Sequence, residues 1–110
     1  MAYDEALAER VRGVIGEHPG LREQKMFGGL AFLVDGNMSV GIVGDELMVR
    51  VGTDGYDDAL DQAHARPMDF TGKPMKGFVY VAKPGFRTAA ALQCWVDRGV
   101  GFAESLPKKR

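Results

Sequence analysis

The sequence predicts an α+β fold, a two-layer sandwich in the order αβββαββα, whose five-stranded, mostly antiparallel sheet carries helices on one face. Three observations point there. Apolar residues recur at helical spacing near both ends of the chain, and between them lie alternating stretches joined by Asp-Gly and Gly-Asp turns. A length of 110 residues, 45% of them hydrophobic, suits one domain with a single core. The 15 glycines, about twice the ordinary usage, imply frequent tight turns.

The first helix is predicted over Asp4 to Glu17. Leu7, Val11, Val14 and Ile15 form its apolar stripe, and Asp4 and Glu5 sit at the positive end of its dipole. His18-Pro19-Gly20 stops it. A strand then runs from Met26 into the hairpin signal Asp35-Gly36. The next, NMSVGIV, puts Met38, Val40 and Ile42 on one face and Ser39 and Gly41 on the other. Gly44-Asp45 turns the chain into ELMVRV, where Leu47, Val49 and Val51 alternate with Met48 and Arg50. One face of this meander is apolar and the other is mixed, fit to meet water or a partner.

A second helix, capped by Thr53 or Asp54, is predicted to reach about His64, with Tyr56, Ala59, Leu60 and Ala63 inward. A short strand near Met68–Phe70, a Gly-Lys-Pro turn and a strand over Gly77–Ala82 follow; Pro67 and Pro74 suit edges and turns. From about Thr88, Leu92, Trp95, Val96, Gly99, Val100, Ala103 and Leu106 keep helical spacing until Pro107. Residues 105–110 read as a frayed tail of a single domain spanning 1–110.

Composition excludes several function classes. Lys+Arg 14 against Asp+Glu 15 leaves a net charge of −1, unlike a protein that coats DNA. One Cys excludes an internal disulfide and any cysteine-based zinc cluster. No apolar run approaches a membrane span, and MAYDEALAER lacks the pattern of a signal peptide, so a cytoplasmic location without membrane attachment is expected. Charge is uneven along the chain: residues 1–63 hold 5 basic and 12 acidic side chains, residues 64–110 hold 9 and 3. Such polarity could steer a partner or a second copy into a homodimer, unless the halves interleave.

The residues that could carry catalysis do not assemble a known constellation. His18 and His64 lie far apart, without Cys or Glu at metal-ligand spacing. No serine sits in a Gly-x-Ser-x-Gly elbow, and Gly72-Lys73-Pro74 reads as a turn rather than a phosphate loop. Asp54, Asp57, Asp58 and Asp61 fall on one helical face, as a solvated acidic face would. Cys94 falls opposite the apolar stripe of its helix and reads as an exposed bystander thiol. No catalytic residue, metal or cofactor is therefore assigned. Lys73, Lys76, Lys83 and Arg87, interleaved with Phe78, Tyr80 and Phe86, raise the alternative of direct nucleic-acid binding through a basic region over 66–87.

Met26-Phe27-Gly28-Gly29-Leu30-Ala31-Phe32, Leu47-Met48-Val49-Arg50-Val51-Gly52 and ARPMDFTGKPMKGFVYV at 65–81 occur in that order, followed by Trp95-Val96 and Ser105-Leu106-Pro107. Together they resemble the N-terminal domain of the TfoX/Sxy family over nearly the whole chain. The resemblance implies a bacterial competence regulator that acts as a co-activator with the cyclic-AMP receptor protein. It also implies an αβββαββα two-layer sandwich similar to secretion chaperones, and it brings no established catalytic residues. Full family members add a C-terminal helical domain, so the resemblance is to the N-terminal domain standing alone.

The expectation that results is a non-enzymatic regulatory or adaptor domain that acts by protein–protein contact. Met48, Arg50, Arg66, Met68, Lys73 and Lys76 are its candidate partner-binding residues, with Met48, Arg50, Met68 and Lys76 expected to be exposed. Methionine adapts well to binding surfaces.

Overall fold

The carboxylate of Asp4 accepts hydrogen bonds from the N–H groups of Ala6 (2.9 Å) and Leu7 (3.2 Å) and so starts helix α1, Glu5–Ile15. It is the first element of a computed structural model that describes residues 3–26, 28–68 and 76–107. Strands β1 (Leu21–Met26), β2 (Gly29–Val34), β3 (Asn37–Val43) and β4 (Glu46–Arg50) follow, then helix α2 (Tyr56–Leu60), strands β5 (Ala65–Pro67) and β6 (Phe78–Val81), a 3-10 turn at Lys83–Phe86, and helix α3 (Ala89–Glu104). The strands form one six-stranded sheet in the order β1-β2-β3-β4-β6-β5, with every neighbouring pair antiparallel.

The sheet thus has one strand more than expected. The addition is β1, whose sequence LREQKM shows no apolar alternation because it is an edge strand with Arg22 to Lys25 exposed. Its inner-face Glu23 meets Arg12 of α1 at 2.7 Å instead of entering the core. The Asp35-Gly36 turn is as expected: φ is +54° and +84°, the twist of a type I′ hairpin, which Asp tolerates and Gly favours.

In β3 the face assignment changes midway. Phe32 pairs with Val40 but Leu33 pairs with Met38, leaving Ser39 as an extra, bulged residue. Val40 and Ile42 therefore enter the main core, while Met38 packs with the opposite cluster. The Ser39 hydroxyl is buried and donates to the Phe32 carbonyl at 2.8 Å, satisfying a group the bulge would otherwise strand.

The main core lies between one sheet face and the helices. Leu30, Phe32, Val40, Ile42, Leu47, Val49, Val79 and Val81 meet Leu7 and Val11 of α1 and Leu92, Trp95 and Val96 of α3. Burying each large apolar side chain contributes roughly 1.5–3 kcal/mol. Helix α3 starts where expected, with Thr88 Oγ1 accepting from the Ala91 N–H at 3.1 Å. Arg10 ties α1 to the segment before α3 by donating to the carbonyls of Phe86 (3.0 Å) and Arg87 (3.1 Å).

Three further expectations need correction. Helix α2 ends at Leu60, without a side-chain cap, and His64 stands beyond it at φ +69°, a conformation no helix continues through. Strand β5 forms at Ala65–Pro67, ahead of the expected 68–70, and residues 69–70 lie outside the described set. Of the expected tail, Pro107 is held by its carbonyl, which accepts from the buried side chain of Asn37 at 2.9 Å; residues 108–110 lie outside the described set.

Three surface ion pairs offset part of the charge polarity of the linear chain. Arg66 with Glu46, Lys83 with Asp45 and Arg98 with Asp58 each join the basic half to the acidic half.

Candidate interaction surface

Strand alternation sends Met48, Arg50, Phe78, Tyr80 and Arg66 to the sheet face opposite the helices, because their neighbours Leu47, Val49, Val79 and Val81 fill the main core. The ladder sets these outer residues side by side. Arg50 lies opposite Phe78, Met48 opposite Tyr80, and Tyr80 opposite Arg66.

Two of the six predicted partner-binding residues are not surface residues. Met48 is 1% exposed and Met68 0%; with Tyr80 they form a second apolar cluster flanked by Met38, Val43 and Phe78. Gly41 helps explain Met48, since a Cβ at position 41 would collide with its terminal methyl. Methionine sulfur beside an aromatic ring is favourable packing. The mixed pattern of this face conceals a second, smaller core in which these methionines are structural.

The cations sit around that cluster. The Arg50 guanidinium stacks between two rings, 5.5 Å from the centroid of Phe78 and 5.3 Å from that of Phe102. Phe102 reaches it from α3 over Gly52, whose φ of +80° and missing Cβ make room for the ring. Arg66 stacks on Tyr80 at 4.9 Å and holds Glu46 through both terminal nitrogens, at 2.5 and 2.6 Å. The hydrogen bond to Glu46 pushes the Arg66 pKa up against the opposing effect of burial. Lys76 is exposed, and Lys73 lies outside the described residues. The structure thus joins Arg50 and Arg66 to one face with Phe78 and Tyr80, which the sequence had offered only for the nucleic-acid alternative, and adds Glu46 and Phe102, which sequence reasoning did not select. Glu46 was within reach, because it shares strand parity with Met48 and Arg50. Phe102 was not, since its contact crosses from helix to strand end.

Among the described residues of the basic region, Lys76 and Arg87 are exposed while other members are engaged within the fold. Arg66 is committed to Glu46, Lys83 is 3.8 Å from Asp45, and Tyr80 and Phe86 are buried rather than free to stack on bases.

The remaining polar candidates have structural places. His18 Nδ1 accepts from the Gly20 N–H at 3.1 Å, which leaves Nε2 to meet Glu104 at 2.9 Å and pin the loop after α1 to the end of α3. Asp54, Asp57, Asp58 and Asp61 are exposed, and Asp58 binds Arg98 at 2.6 Å. Cys94 is exposed beside Trp95, Arg98 and His64 along a groove of about 440 Å³. Among the described residues no group of three or more His, Cys, Asp or Glu could hold a metal ion, and no helix is long and apolar enough to cross a membrane.

A family model described as the TfoX N-terminal domain matches residues 14–103. No curated protein and no solved structure matches the chain.

Proposed function

The chain belongs to the TfoX N-terminal domain family, and from that premise we propose that it is a regulatory, non-enzymatic domain of the bacterial competence system that works in the cytoplasm by docking on a protein partner. The observation that carries this reading is Arg50 stacked between Phe78 and Phe102. Arginine and aromatic side chains dominate interface hot spots, and an arginine already held in place loses little rotamer entropy when it meets a carboxylate. Arg66 on the same face is braced by Tyr80 but already neutralised by Glu46, so the docking charge rests on Arg50. The partner that fits is a protein offering acidic side chains, and the cyclic-AMP receptor protein is the proposed one, engaged during transcriptional co-regulation.

Calorimetry with purified receptor and cyclic AMP tests the reading. Wild type binds, and Arg50→Glu weakens binding by about 30-fold or more, as for a central interface residue. No binding to the receptor, or an Arg50→Glu variant that binds as well as wild type, overturns it. A shift of promoter DNA by the chain alone, steeply salt-dependent, would instead favour direct nucleic-acid contact.

A further inference from the structure

Strand β1 is the outer edge of the sheet, six residues long, with Arg22, Glu23, Gln24 and Lys25 exposed and, among the described residues, β2 as its one neighbouring strand. Its backbone parity is set where it begins. The Asp35 N–H donates to the Gly20 carbonyl at 2.9 Å, next to the Leu21–Val34 pair, so Gly20 turns its backbone groups towards β2. Alternation then commits the backbone groups of Gln24 and Arg22 to β2 as well. Those of Leu21, Glu23 and Lys25 point away from the sheet; the Leu21 N–H donates to the His18 carbonyl at 3.0 Å, which leaves Glu23 and Lys25 as the pairing edge.

A second copy pairing here about a twofold axis must set outward groups against outward groups, so the axis passes through a residue rather than between two. Four centres are available, and charge separates them. An axis at Arg22, Glu23 or Lys25 sets that residue against its own like charge. An axis at Gln24 sets Glu23 opposite Lys25 of the second copy, twice, with Gln24 facing Gln24 and no like charges opposed. Glu23 and Lys25 also lie on the helix side, where Arg12 bridges Glu9 and Glu23. The junction would therefore extend an alternating row: Glu9, Arg12, Glu23, then Lys25 of the second copy.

We propose that the chain forms a twofold homodimer by antiparallel pairing of β1 with β1 of a second copy, centred on Gln24, which makes one continuous sheet of the two. This surface is separate from the Arg50 face and does not depend on the function proposed above. Charges on an edge strand can also serve to keep sheets apart. What favours pairing is that they complement one another in one of the registers the backbone permits.

Sedimentation equilibrium reads the outcome. Wild type is a dimer. Lys25→Glu sets Glu against Glu twice, and Glu23→Lys sets Lys against Lys; each alone weakens dimerisation about tenfold or more. An equimolar mixture of the two variants restores association, because the heterodimer regains both opposite-charge pairs. Gln24→Cys in a Cys94→Ser background tests the register without charge reversal. The central pair has its Cα atoms about 4.5 Å apart, within disulfide reach, so oxidation cross-links it, whereas Glu23→Cys in that background stays uncross-linked. A wild-type chain still monomeric at concentrations on the order of 1 mM, a Lys25→Glu variant as dimeric as wild type, or cross-linking through position 23 in preference to 24 overturns the proposal.

Discussion

Gly99 of α3 presses directly on the backbone of Ser39 in β3: a Cβ at position 99 would run into the Ser39 carbonyl oxygen and crowd Val40. Ser39 is also the residue that bulges out of register with β2. Helix α3 can approach the sheet this closely only because residue 99 has no side chain. Gly99→Ala should therefore destabilise the fold by about 1–3 kcal/mol, the cost of forcing a packed layer apart. Gly101, two positions on, is exposed with nothing near its would-be Cβ. Gly101→Ala should instead stabilise by about 0.5–1 kcal/mol through helix propensity. Urea melts of the two variants should move in opposite directions; equal shifts would contradict the close approach.

Met68 and Arg66 are near neighbours with opposite expected roles. Met68 is completely buried against Met48 and Tyr80, so Met68→Ala should cost about 2–5 kcal/mol. Arg66 is half exposed even with its ion pair to Glu46, so Arg66→Ala should cost about 1 kcal/mol or less. Chemical denaturation separates them. A Met68→Ala variant as stable as wild type would return Met68 to the surface.

Acid should act through Glu23. The hydrogen bonds from Arg12 hold its carboxyl below its ordinary pKa of 4.5, with burial opposing. A depressed folded pKa stabilises above the unfolded value, and that contribution disappears as pH falls below about 4.5. Glu23→Gln removes it. In dilute solution the Tm gap between wild type and Glu23→Gln should be widest near neutrality and close as the pH drops towards 3. A gap that stays constant with pH would show that the ion pair contributes no stability.

At Arg50, charge and shape can be separated. Lysine keeps the charge but cannot lie flat between Phe78 and Phe102. Arg50→Lys should bind the receptor several-fold more weakly than wild type and more strongly than Arg50→Glu. Tm should fall by a few degrees in Arg50→Lys and further in Arg50→Glu, so affinities are compared at a temperature where all three are folded. Equal affinity for Arg and Lys would make the stack irrelevant to docking.

Much of the architecture was legible in the chain. Helical periodicity located α1 and α3, and Asp35-Gly36 located the β2–β3 hairpin, because those signals are local. Strand β1 was hidden because its inward positions hold Leu21, Glu23 and Lys25, and Glu23 answers to Arg12 on another element. Met38 was assigned the wrong face because a bulge inverts parity without marking the sequence. At the site, Arg50 could be chosen from its alternation with Val49 and Val51, whereas Arg66 was chosen without its strand, which forms at Ala65–Pro67. The burial of Met48 and Met68 could not be foreseen, since a methionine on a second face reads alike whether covered or bare.

Strands β1 to β4 pair in chain order, and the turns from β2 to β3 and from β3 to β4 each span two residues, so this half of the sheet pairs residues close together in the chain. Helix α3, which covers β3, must arrive from about fifty residues downstream, where loop closure is slower. Assembly should therefore proceed as a quick zipper followed by a late clasp, with Gly99 against Ser39 among the last contacts made. On that order, substitutions at the α3–β3 seam would hasten unfolding while leaving the rate of refolding almost untouched.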